Sequence, residues 1–164
     1  MSKRMAVASF VVWVLLGAEH IRLRAAEGGL TLTLRTDKAT YQVGSQAKVT
    51  LILHSTTPMS GETGVEGLGC DFDIVILDAG GAEVFRGSEG VFCIQIALAR
   101  DVPPPIVKRV LIPLQNNLQG DEPLAPGLYT VRGILFWSRT IFADGIRRGA
   151  IGRPTAEMVI EITQ

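Results

Sequence analysis

Histidine and cysteine are scarce in this chain: each occurs twice in 164 residues, and of the two histidines only His54 lies beyond the first 26 positions. A hydrolase needs a nucleophile with a base beside it, and no Gly-x-Ser-x-Gly elbow or comparable motif accompanies His54, which ends the apolar stretch 49–53. No catalytic residue is therefore expected. A structural zinc site needs paired nitrogen or sulfur ligands, and Cys70, Cys93 and His54 do not supply the pairs. No metal site and no cofactor are expected either. The glycine-rich stretch 61–69 lacks a following helix whose N-terminal amides could hold a phosphate. Clustered cations are also missing: the densest group, Arg147 and Arg148 with Arg139 and Arg153 nearby, is a loop patch too small to displace the counterions of a nucleic acid.

The first 26 residues differ from the rest. Ser2, Lys3 and Arg4 form a short basic lead, and residues 5–18 are an apolar run without a charge, followed by Glu19, His20, Arg22 and Arg24. A helix needs about 20 apolar residues to cross a bilayer, so this run predicts a cleaved signal peptide rather than an anchor. Two small-residue sites, ending at Ala18 and at Ala26, compete for the cut. On this reading residues 1–26 are signal peptide and leader, residues 27–164 are one domain, and the protein is secreted or resides in a bacterial cell envelope such as the periplasm. Contact with a membrane is expected only through the leader, if it is not removed. Loss of the leader takes four of the 16 basic and one of the 16 acidic residues, leaving a net charge of about −3. A weakly acidic domain gives no reason to expect a nucleic-acid partner. In an oxidising compartment Cys70 and Cys93, at the starts of two expected strands, can pair; spacing alone leaves open whether their Cα atoms come within the required distance.

The 164-residue chain is 47% apolar, enough to bury one ordinary core. Its pattern has the period of strands. Residues 30–34 (LTLTL) alternate, residues 36–44 form a turn-rich bridge, and residues 47–53 continue as a second strand. Residues 71–78 with Phe72, Ile74 and Ile76 on one side, a turn at 78–81, and residues 82–86 form the clearest hairpin. Further strands are expected at 91–98, 106–112, 127–137 and 156–162, separated by long loops at 55–69 and 138–154 and a proline-stiffened break at 102–105. Convincing amphipathic helices are absent, and about eight strands with Gly/Pro-rich turns predict an all-β, immunoglobulin-like antiparallel sandwich of two sheets. Alternation assigns Asp71 and Asp73 to one face of their strand and Asp78 to the other. A calcium site or an acid–base pair is conceivable there, but the expected role is to keep the outer face wet.

The opening of the strand at 127 carries more detail. A polar loop ends at Pro126 and Gly127, and Tyr129 follows, a spacing that predicts a structural corner with the hydroxyl bonded to backbone rather than a binding residue.

Residues 72–86 (FDIVILDAGGAEVFR), followed after a spacer by residues 124–135 (LAPGLYTVRGIL), resemble the BsuPI-type intracellular proteinase inhibitor domain, in order across residues 30–136. Gly87 and Ser88 stand where that family often carries an aromatic after the hairpin. The resemblance implies an immunoglobulin-like β-sandwich and a non-enzymatic partner of proteins, one that blocks a subtilisin-like serine proteinase. An inhibitor fills the enzyme cleft with a stiff exposed segment. Three loops offer one: residues 55–69 with Met59 or Leu68 for an apolar pocket, residues 100–105, and residues 138–154 with Arg147 and Arg148 for an acidic pocket. A secreted envelope module that docks on another protein without inhibiting it is the alternative expectation.

Overall fold

A computed structural model describes residues 22–27, 30–55, 61–63, 67–92, 98–100, 105–135, 141–143, 146–148 and 154–164. Among these the protein is all-β, with no helix, and its strands form several mostly antiparallel sheets. The first half of the chain contributes β1 (Arg22–Glu27), β2 (Leu30–Thr36), β3 (Thr40–Gln42), β4 (Gln46–Ser55), β5 (Gly61–Thr63), β6 (Phe72–Leu77) and β7 (Glu83–Arg86). The second contributes β8 (Leu98–Arg100), β9 (Ile106–Pro113), β10 (Gln115–Asn116), β11 (Glu122–Pro123), β12 (Gly127–Leu135), β13 (Ile141–Ala143), β14 (Ile146–Arg148) and β15 (Thr155–Thr163).

Two larger sheets dominate. One has the order β1-β2-β4-β9 and the other β3-β15-β12-β6-β7; the remaining strands form two-stranded ribbons, β5 with β8, β10 with β11 and β13 with β14. Among the described strands all pairings are antiparallel except that of β3 with β15. Alternation explains why the sheets bury one face. In β15 the side chains of Ala156, Met158, Ile160 and Ile162 are buried while Glu157, Val159 and Glu161 are exposed, and β12 does the same with Val131, Gly133 and Leu135. Inward residues of both sheets, Leu32, Leu34, Leu51 and Leu53 from one and Ile74, Ile76, Val131 and Ile160 from the other, belong to a single apolar core.

The layers approach closely at Gly133. A Cβ added there would overlap the Leu51 side chain and approach Leu34 Cδ1 to 2.9 Å, so leucines of one sheet rest on bare backbone of the other.

Several segments differ from the sequence expectation. Residues 22–26, read as leader, form most of β1 and pair with β2, with Arg22 opposite Leu34; residues 1–21 lie outside the described residues. The bridge at 36–44, read as turn, contains the short β3, and Tyr41 on it joins the other sheet. The stretches read as long loops contain β5, β13 and β14. Residues 91 and 92, read as the start of a strand, are not in one, while residues 93–97 lie outside the described residues.

The turn between β2 and β3 shows how polar groups fix a crossover. Tyr41, buried within the core, donates its hydroxyl to Asp37 Oδ1 at 2.7 Å, and the same oxygen accepts the Lys48 amide of β4 at 2.9 Å. Burial, then the bond to Asp37, pushes the Tyr41 phenol up to about 12. Burial alone would raise the Asp37 carboxyl, but hydrogen bonds from Tyr41 and Lys48 outweigh it and hold the group below its ordinary range.

Candidate functional site

The hairpin β6–β7 delivers the chain to one end of the molecule, where two turns lean on each other. The first follows β7. Gly87 donates its amide to Ile74 O at 2.9 Å, and Glu89 and Val91 donate theirs to Arg86 O and Ser88 O, each at 3.1 Å, so residues 87–91 form a bonded turn rather than an open loop. Beneath it lies Asp73, with no exposed surface. Its Oδ1 accepts the Ser88 amide at 3.0 Å and the Ile74 amide at 2.8 Å; its Oδ2 accepts the Ser88 hydroxyl at 2.6 Å and, more weakly, Arg86 Nη1 at 3.4 Å.

Arg86 is itself fixed from two sides. Its Nε and Nη2 each donate to a Glu83 carboxylate oxygen at 2.6 Å, a bidentate fork. That bond first, and the charge of Asp73 after it, raise the guanidinium pKa further and keep it cationic. The Arg86 backbone is clasped by Asn117, whose Oδ1 accepts the Arg86 amide at 2.9 Å while its Nδ2 donates to the Arg86 carbonyl at 2.8 Å. One amide side chain thus takes the place of a neighbouring strand at the β7 edge.

The second turn, residues 67–71, precedes β6. Cys70 and Asp71 donate their amides to Gly67 O at 3.0 and 3.2 Å, and Asp71 Oδ1 accepts the Gly67 amide at 2.9 Å. Asp71 Oδ2 meets Lys108 Nζ of β9 at 2.5 Å, an ion pair with both side chains largely buried that ties this end of the two sheets together. Gly69, at φ +81°, supports the other turn: a Cβ there would stand 2.9 Å from Ser88 Cα and 3.1 Å from Val91 Cβ. Leu68 packs over Gly87, where a Cβ would come within 2.6 Å of Leu68 Cδ1. Cys70 is in a disulfide, not a free thiol; Cys93, the chain's other cysteine, lies outside the described residues. A cleft of about 420 Å³ opens beside Gly67 and Phe72, walled on its far side by residues 105–109 of β9 and its approach.

From this braced platform Val91 and Phe92 point outward. Phe92 is fully exposed, at 103%, against 62% for Leu111, the next large apolar side chain among the described residues.

The expectation that Asp71 and Asp73 wet an outer face is corrected. Both are buried, because the 87–92 turn and Arg86 fold over one and Lys108 reaches the other. Asp78 does stay near the surface, accepting the Gly80 and Ala82 amides at 2.9 and 2.8 Å in the β6–β7 turn. Of the loop candidates, Leu68 is half-buried and packed against the core, which leaves it unsuited to entering a partner's pocket. Arg147 and Arg148 fall on β14, opposite Phe142 and Ile141 of β13, rather than in an open loop. Met59 and residues 101–104 lie outside the described residues. Tyr129 donates its hydroxyl to Ala125 O at 2.9 Å across the exposed Pro126 and Gly127, while its ring packs on the core; burial and then the nearby Asp78 charge raise its pKa. Sequence reasoning missed Phe92 because it opens an apolar stretch that reads as a strand. The signal present was Gly90, which allows the chain to leave the turn there.

Among the described residues no group of three or more His, Cys, Asp or Glu is placed to hold a metal ion, and no helix is long and apolar enough to cross a membrane. Compared with known proteins, the chain matches no family model and no curated protein.

Proposed function

We propose that the chain is an immunoglobulin-like domain of the BsuPI inhibitor type that acts by binding another protein, and that the bound protein is a serine proteinase, which it blocks. The fold reading is supported by two layered sheets sharing one core, by the short β3 that leaves the sheet of β2 and runs parallel to the last strand, and by the Tyr129 corner at the entry of β12. Export is supported by the basic lead and apolar run before residue 19, and agrees with the disulfide at Cys70.

The observation that carries the functional reading is the braced turn at 87–92. A loop that is disordered when free must be ordered on binding, and each immobilised side chain then costs about 0.5–1.5 kcal/mol. A turn already fixed by Asp73, Gly69 and the Arg86 clasp avoids most of that loss. It also resists cleavage, because a proteinase cuts segments that can adapt to its cleft.

The test is a titration of the purified protein, expressed from the full chain, against a subtilisin-like and a trypsin-like serine proteinase, following residual activity together with the integrity of the domain. Stoichiometric loss of activity with the domain intact supports inhibition. Full activity of both enzymes, with or without cutting of the domain, contradicts it and favours docking within the envelope without inhibition.

A further inference from the structure

We infer that Phe92 is the anchor of this turn, the side chain that enters the partner's pocket, and that the partner is a serine proteinase whose primary specificity pocket takes a large apolar group. The inference rests on the inhibitory reading above and narrows it to one residue and one class of enzyme.

Single exposed apolar side chains are ordinary on protein surfaces. Phe92 is set apart by two observations together. Its exposure is complete, so the ring gains nothing from the fold, and a partner that covers it takes its whole apolar surface out of water. The backbone leading to it is also fixed. Val91 donates its amide to Ser88 O, Ser88 is bound through both amide and hydroxyl to the buried Asp73, and Gly69 lies against Ser88 and Val91. A protruding aromatic on a rigid support is the arrangement of an interface hot spot, where a few such residues carry most of the binding energy. The alternatives among the described residues are weaker, since Leu68 is packed against the core and Leu111 and Leu128 lie on strands.

The charges around the ring favour a protein pocket over a lipid surface. Residues 87–92 carry one acid, Glu89, and no lysine or arginine, whereas a loop that inserts an aromatic into an anionic bilayer uses flanking cations to meet the headgroups. An apolar pocket makes no such demand. Such a pocket distinguishes enzymes sharply, because a site shaped for a large apolar side chain and one built around a buried carboxylate prefer different anchors.

Three variants of the full-chain protein, Phe92→Ala, Phe92→Leu and Phe92→Arg, decide the matter when their inhibition constants are measured against a subtilisin-like and a trypsin-like proteinase. The parent is expected to inhibit the subtilisin-like enzyme preferentially. Phe92→Ala should weaken that inhibition by about 100-fold or more, Phe92→Leu by about 10-fold or less, and Phe92→Arg should shift the preference toward the trypsin-like enzyme. Thermal melting of all three should match the parent, because the ring contacts nothing in the fold. Equal inhibition by the parent and Phe92→Ala overturns the anchor and leaves the inhibitory reading intact, with another loop responsible. No inhibition by the parent overturns both. Binding of the parent to phosphatidylglycerol vesicles that is lost in Phe92→Ala overturns the protein-pocket assignment in favour of a lipid surface.

Discussion

At the turn between β2 and β3, Asp37 accepts a tyrosine hydroxyl at 2.7 Å and the Lys48 amide at 2.9 Å; at the turn after β7, Asp73 accepts a serine hydroxyl at 2.6 Å and the Ser88 amide at 3.0 Å. The two carboxylates hold their turns with the same pair of bonds. They differ in surroundings, for Asp37 is exposed and Asp73 is fully buried. Water can replace an exposed carboxylate as acceptor. It cannot reach the donors around Asp73 without opening the turn, so the shape of residues 87–92 is tied to the packing of β6 and not merely to local turn preference.

Replacing Asp73 should show the difference most strongly. Asp73→Ala leaves the Ser88 amide and hydroxyl without their acceptor and removes a charge partner of Arg86, and should destabilise the protein by about 3–5 kcal/mol in urea unfolding. It should also abolish any inhibitory potency. A loss below about 1 kcal/mol would show that the buried carboxylate contributes no more than a surface one.

Next in size is the alkaline side of the first turn. The Tyr41 phenol is pushed up to about 12 in the fold from an ordinary value of 10.0, so the folded state favours the neutral form. The resulting stabilisation is complete below pH 10 and is lost as the pH rises through 12, by about 3 kcal/mol at the limit. Unfolding free energies measured from pH 9 to 12 should follow that fall, and Tyr41→Phe should flatten it.

At neutral pH, Tyr129→Phe should cost about 1 kcal/mol, the net worth of the hydrogen bond to Ala125 O. Smallest is Asp37→Ala, at about 1 kcal/mol or less by the same unfolding assay, because solvent takes over its bonds. Since its pKa is held low, the contribution of Asp37 is present above its ordinary value of 3.8 and disappears as the pH falls below it. Equal losses for Asp37→Ala and Asp73→Ala would break the comparison.

The frame was legible in the sequence wherever burial follows from local alternation. The strands β12 and β15, the β6–β7 hairpin and the position of Tyr129 after Pro126 and Gly127 are all set by neighbours within a few residues. The candidate site was not, because burial of Asp71 and Asp73 depends on chain that folds over them from elsewhere. Lys108 arrives on β9 of the other sheet, and Ser88 returns from beyond the hairpin. Alternation correctly separates the two faces of β6 but carries no information about which outer face is later covered; Val75, on the same outward side as Asp73, is buried too. Gly87 and Ser88 looked like a gap in a family pattern. In the fold the glycine makes room for Leu68 and the serine satisfies the buried acid.

The central claim is that the 87–92 turn is fixed before any partner arrives, and amide hydrogen exchange at Ser88 tests it most directly. If the account is right, the Ser88 amide is protected to nearly the extent of Val131 in the centre of β12, exchanging only when the protein unfolds, and Asp73→Asn lowers that protection. Exchange at Ser88 as fast as in an open loop, in a protein whose β12 amides stay protected, would contradict it.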